Sequence, residues 1–284
     1  MKVILGDNPF FGVNHASGSL EPLPETERFS RASEVVSRFE SLGGNVMMLT
    51  NHPSASRLMD RLGAELSSEL DIALVLPYPH KYNDLVASHG YIGLANKILR
   101  SNLLSLLMAM LYFLIGLNYR KWLLRALLFS ELKEFSKYRE RVKYVCLHNI
   151  LTDMFIAGSN DRLLSDFVDL VQEMGLEPVL ITQNPKAAAL AIGRSDYTLC
   201  FSLNPTGYMV NPTVTEVVDF LKSMTKDRPS VWAMQILASG VATTQDALDF
   251  LKDISVVDGI LYATTRPERI TAFYAAAEKY YTIS

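Results

Sequence analysis

The chain has 284 residues, of which 49% are hydrophobic and 20% charged, with a formal charge of -3. This is a globular composition with a large core, and its near-neutral balance gives no electrostatic reason to expect nucleic acid as a partner. The length suits a single α/β barrel of about 250 residues with modest insertions, and no linker divides it.

Short apolar runs recur from the first residues onward. They are Val3–Gly6, Asn45–Leu49, Ile72–Leu76, Lys143–Leu147, Pro178–Thr182, Thr198–Leu203, Val231–Ile236 and Gly259–Ala263. Each is too short for a helix and too apolar to have one wet face, which predicts parallel strands buried on both sides. Helical patterns separate them. Pro24-Glu25 opens the first, which closes at Gly43-Gly44, and Ser54 is expected to cap the second. Ser159 or Asn160 is expected to cap a later one. Pro185, Pro212 and Pro267 mark further helix starts, where proline costs least, and Thr243-Thr244 precedes another. Eight alternations predict one α/β domain over residues 1–284, a closed (β/α)8 TIM barrel with its active site at the strand C-termini. An open doubly wound sheet would carry a glycine-rich phosphate loop after its first strand, whereas this chain has GDNPFFG there.

Residues 91–138 replace one barrel helix with a longer, apolar, helical insertion. Leu103–Leu117 and Trp122–Leu132 read as a helical hairpin. The run is shorter than the roughly 20 residues a membrane span needs. Lys97, Arg100, Arg120 and Lys121 flank it. Three roles are open: a lid or homo-oligomer surface, an enlarged barrel helix, or peripheral membrane contact through Leu103–Leu132. Cys146 and Cys200 lie inside strand runs and read as buried free thiols. The N-terminus lacks a signal-peptide layout, so a cytoplasmic location is expected.

Polar residues cluster after the strands, and a barrel would gather them in one mouth. They are Asp7, Asn8, Asn14 and His15; Asn51 and His52; Tyr78, His80 and Lys81; His148 and Asn149; Gln183 and Asn184; Asn204; Gln235; and Thr264, Thr265 and Arg266. His148, His52, His80, Asp7 and Lys81 are the candidate acid/base groups. His15, His52 and His80 are the candidate ligands of a divalent metal. The amides, with His15 and Tyr78, are candidates for holding a small polar substrate. Thr264, Thr265 and Arg266 open the last helix, where backbone N–H groups and the helix dipole attract phosphate.

Several segments resemble the aldo-keto reductase barrel superfamily. VWAMQILASG resembles its seventh-strand segment, and VDGILYATTRPERI its last strand and following helix. VKYVCLHN resembles the fourth strand ending in histidine, and GGNVMML the approach to the second strand. The resemblance implies a barrel, an NADPH site near Arg266 and a catalytic role for His148. It also implies an Asp ending the second strand, a Tyr shortly after it and a Lys ending the third. This chain reads MMLTNHPSAS and LVLPYPHK at those places, so only His148 carries over. Two functions therefore stand side by side. The first is non-redox, metal-assisted acid/base chemistry (lyase, isomerase or hydrolase) on a sugar-like or carboxylated metabolite. The alternative is an NADPH-dependent reductase whose acid is Tyr78 or Lys81. A third reading is a non-catalytic barrel acting through its insertion.

Overall fold

A computed structural model describes residues 1–12, 23–63, 70–101, 103–114 and 119–283. The strands are β1 (Lys2–Gly6), β2 (Val46–Thr50), β3 (Asp71–Leu76), β4 (Val142–Leu147), β5 (Glu177–Thr182), β6 (Thr198–Ser202), β7 (Ser230–Met234) and β8 (Gly259–Tyr262). They pair in parallel in sequence order, and β8 returns to β1 with Ile4 opposite Leu261, closing the barrel.

Side chains alternate with a period of two, so each strand serves two cores. Ile4, Val46, Met48, Ala73, Val75, Tyr144, Cys146, Val179, Ile181, Cys200 and Trp232 fill the lumen. Their neighbours, such as Leu5, Leu49, Leu74, Val145, Leu180 and Phe201, pack outward against the helices. This double burial is why the strands carry almost no polar residues. Toward the strand N-termini the lumen is plugged by Trp232 and Tyr144, edge to face with centroids 5.1 Å apart. Lys2 Nζ donates to the Tyr144 hydroxyl at 2.9 Å. Gly259 makes room for this plug: a Cβ there would lie 2.7 Å from Ile4 Cδ1 and 2.8 Å from Trp232 Cδ1.

The helices are α1 (Glu25–Ser41), α2 (Ala55–Leu62), α3 (Pro79–Ser101), α4 (Leu103–Leu114), α5 (Tyr119–Glu134), α6 (Asn149–Ala157), α7 (Asp161–Glu173), α8 (Pro185–Ile192), α9 (Val214–Ser223), α10 (Thr244–Leu251) and α11 (Pro267–Ala277). Proline opens α8 and α11 as expected, and Thr243 closes a capping box with Asp246 on α10. Three expected start signals act differently. The Ser54 hydroxyl donates to Glu25 at 2.7 Å and accepts from Arg57 Nη2 at 2.7 Å, and it makes no cap bond to α2. Asn160 occupies the α7 N-cap without a side-chain cap bond; its amide turns back to Gly158 O. Pro212 precedes α9, and Thr213 caps it. The seventh strand stops at Met234, two residues early, because Gln235 adopts φ 53°, which no strand can continue.

The β3–β4 crossover holds three helices. α3 bends at Gly90, whose φ of 64° and ψ of -176° suit glycine alone. α5 is the barrel-facing member: Leu124, Leu128 and Leu132 join the main core, and the helix lies against α7. α4 packs on α5 and α3, forming a third layer outside them. No helix among the described residues is long and apolar enough to cross a membrane. Cys146 and Cys200 are both buried and unpaired.

Candidate active site at the strand C-termini

Asp7 follows β1 directly and is 3% exposed. Its carboxylate accepts from Thr50 N at 2.6 Å and from the Thr50 hydroxyl at 3.4 Å, which ties the β1 end to the β2 end. Burial penalises the charged form more than these bonds favour it, so the Asp7 pKa is pushed up to about 6. Asn8 is exposed and begins a short 3-10 turn, Asn8–Phe11.

A row of rings runs across the mouth from this turn. Phe11 stacks on His52 at 4.5 Å, His52 meets Tyr78 at 5.7 Å, and Tyr78 meets His80 at 5.3 Å. His52 Nδ1 accepts from Ser54 N at 3.1 Å, and burial lowers the pKa of the imidazole. The Tyr78 phenol is held above its ordinary value by burial and then by the charge of Asp7.

His148 is half-buried at the N-cap of α6. Its Nδ1 accepts from Ile150 N at 3.2 Å, so Nδ1 carries no proton and Nε2–H is its free donor. Burial first, and the neighbouring His80 second, push its pKa down to about 4. At neutral pH this is an uncharged imidazole with one N–H to offer. Asn149 follows as the first residue of α6.

Of the predicted metal set, His52 and His80 fall among the described residues. Among the described residues no group of three or more His, Cys, Asp or Glu side chains is placed to hold a metal ion. His52 and His80 flank Tyr78, and each approaches it ring to ring. His15 and Asn14 lie outside the described residues.

Two other predicted site residues are turned toward the crossover helices. Lys81 pairs with Glu134 and, at 3.5 Å, with Glu131. The Asn51 amide donates to Glu131 at 2.5 Å and to Glu134 at 3.3 Å, and the Tyr82 hydroxyl also donates to Glu131. Glu131 is 0% exposed, and all three of these donors converge on its carboxyl group. The cluster fastens α5 to the mouth and engages Lys81, the cation that follows β3.

The β5–β8 side is divided in the same way. Asn184 accepts from Ala187 N at 3.1 Å and caps α8. Asn204 is fully buried and bonded on both faces. It donates to Tyr208 O and Gln235 O, and accepts from Tyr208 N and the Thr206 hydroxyl. These bonds fasten the loop that follows β6. Gln235 accepts from the Ser202 hydroxyl at 2.6 Å, and its amide nitrogen lies 3.4 Å from Met209 Sδ. Gln183 differs: its backbone N donates to Asp153, while its side-chain amide has no bond among the described residues. Arg266 is exposed at the N-cap of α11, where its N donates to the Thr264 hydroxyl at 3.1 Å, and Thr265 is half-buried between them.

Sequence reading missed Asp153, Tyr82, Glu131 and Tyr208. Asp153 is half-buried and accepts from the Thr182 hydroxyl at 2.5 Å; burial raises its pKa. Its only signal is its place on α6, five residues after His148. Tyr82 stands one turn after Tyr78. Nothing local marks Glu131, whose partners lie 49 to 80 positions away. A depression of about 710 Å³ also opens near Arg228 and Asp258, at the strand N-termini. Those two groups bond each other at 2.6 and 3.0 Å, and that end of a barrel serves stability rather than chemistry.

By fold this is a closed eight-stranded parallel α/β barrel. No family model matches the chain, and no curated protein does. Two solved structures from Pseudomonas aeruginosa, each provisionally described as an aldo-keto reductase, share the architecture. One superposes with a TM-score of 0.59 at 15% identity, covering 98% of this chain and 90% of the other. The second gives 0.56 at 16% identity, covering 98% and 89%.

Proposed function

We propose that this chain is a nicotinamide-dependent oxidoreductase acting on a small, polar carbonyl metabolite, with Tyr78 as the relocated proton donor. The observation that carries the proposal is the neutral Nε2–H of His148 in the same mouth as the Tyr78 phenol, on this barrel. Lys81, the other candidate acid, is engaged by Glu131 and Glu134.

The residues fit a dinucleotide at two points. Arg266 and the first turn of α11 suit an anionic phosphate, although Glu268 in that turn opposes it. The unbonded Gln183 side chain suits a carboxamide. Once bound, the reduced nicotinamide supplies a hydride. His148 donates Nε2–H to the substrate carbonyl oxygen and polarises it. Tyr78 passes its phenolic proton to the oxygen as the alkoxide develops; an alkoxide is far more basic than even a raised phenol, so the transfer runs downhill. A single barrel domain and a cytoplasmic location belong to the same reading.

Fluorescence titration with NADPH tests it directly. Micromolar binding, weakened roughly tenfold by Arg266→Ala as one charge-assisted contact is lost, is the expected result. Carbonyl-dependent NADPH oxidation should fall about 100-fold in Tyr78→Phe, the scale of a lost general acid. If NADPH and NADH both fail to bind, the reductase reading is wrong, and metal-free acid/base chemistry by His148 and Asp7 takes its place.

A further inference from the structure

The crossover between Leu85 and Ser130 contains no aspartate or glutamate. It holds five basic residues, Lys97, Arg100, Arg120, Lys121 and Arg125. The segment is therefore +5 in a chain of -3, and the rest of the molecule sits at -8. Such a separation of charge onto one helical excursion is an electrostatic footprint, independent of the active site.

The same excursion exposes the molecule's most apolar helix. On α4, Leu104 is 70% exposed, Met110 63%, Phe113 62% and Leu114 76%, and on the adjoining part of α3, Tyr91 is 79% and Ile92 78%. Soluble chains rarely leave so many large apolar side chains together on one surface without a partner for them. α5 lies between α4 and the barrel, so the outer face of α4 contributes nothing to the barrel core.

We propose that α4 and its flanks dock on an anionic lipid surface. Charge decides between the candidate occupants. A second copy of the chain, joined through this face, would bring two segments of the same positive sign together, even with Lys121 and Arg125 paired to Glu173. An anionic bilayer offers both an apolar layer and the opposite charge. The 12-residue length of α4 spans about 18 Å, enough to lie in the headgroup boundary and too short to cross. Lys121 and Arg125 meet Glu173 of α7 at 3.0 and 3.1 Å, so α7 anchors the excursion to the barrel and orients it. The Glu131 cluster ties α5, on which α4 packs, to Asn51, Lys81 and Tyr82 at the mouth.

The test is cosedimentation of the purified full chain with vesicles of phosphatidylcholine containing 30% phosphatidylserine, beside vesicles of phosphatidylcholine alone. Light scattering on the same sample reports its mass. The expected result is binding to the anionic vesicles, roughly tenfold weaker in 0.5 M salt and on neutral vesicles. Met110→Glu/Phe113→Glu should abolish binding while circular dichroism stays unchanged, since both side chains are exposed. Lys97→Glu/Arg100→Glu should weaken it at least tenfold. Equal binding to both vesicle types, or no binding at all, overturns the proposal. So does a dimer that Met110→Glu/Phe113→Glu converts to monomer in the absence of vesicle binding. The readout does not involve NADPH, so it stands or falls separately from the reductase reading.

Discussion

Asp7→Asn is expected to stabilise the protein above pH 6 and to leave it unchanged near pH 4. Asparagine keeps the shape of the carboxyl and an oxygen that can accept from Thr50. The Asp7 pKa rises from 3.8 to about 6 on folding. The folded state therefore binds its proton more tightly than the unfolded chain. Between those two values the folded form holds more protons, so its stability falls as pH rises through that window. A shift of about two units, at about 1.4 kcal/mol per unit, makes the ionised buried group cost roughly 3 kcal/mol at pH 7. The variant carries no such cost. Urea unfolding of both proteins at half-unit steps from pH 4 to 8 isolates this one group, because every other titration is shared. The difference should grow from near zero to roughly 3 kcal/mol and level off above pH 7. A difference independent of pH, or a variant less stable at pH 7, would refute the account of Asp7 as a desolvated carboxylate. Catalysis is expected to fall in the same variant, since a costly buried charge at a barrel mouth is retained for its chemistry.

Nitrogen NMR of the imidazoles should show His148 as the neutral Nε2–H tautomer throughout pH 5–9, titrating near 4; a midpoint above 6 would contradict its burial. Because folding depresses this pKa from 6.5, the imidazole should cost stability as pH falls from 6.5 toward 4. Glu131→Gln puts an amide N–H among donors from Asn51, Tyr82 and Lys81 and should cost about 2–4 kcal/mol. A loss of roughly 5–10 °C in melting temperature would register it; an unchanged melt would show the cluster to be solvated. Gly259→Ala should cost about 1–3 kcal/mol by forcing a methyl against Ile4 and Trp232, measurable as a shifted urea midpoint.

The eight strands were legible because each is buried twice, in the lumen and under the helices, and that leaves only apolar residues to compose them. His148 was legible for a related reason: it follows a strand, and every strand end must open on the mouth. The end of β7 was misplaced because the apolar run continues past Gln235, whereas backbone torsion at that residue ends the strand. Asn51, Lys81 and Asn204 followed strands just as His148 does, yet the fold turns them inward to Glu131, Glu134 and the Tyr208 backbone.

Local sequence thus determined the barrel, its closure and the set of polar residues delivered to its mouth, since periodicity and strand-end position act on neighbouring residues. Tertiary structure alone decided which of those residues remain available for chemistry. A hydrogen bond consumes a donor whatever the sequence distance to its acceptor. Glu131, which settles the fate of both Asn51 and Lys81, reaches them from α5, at positions 80 and 50 residues away.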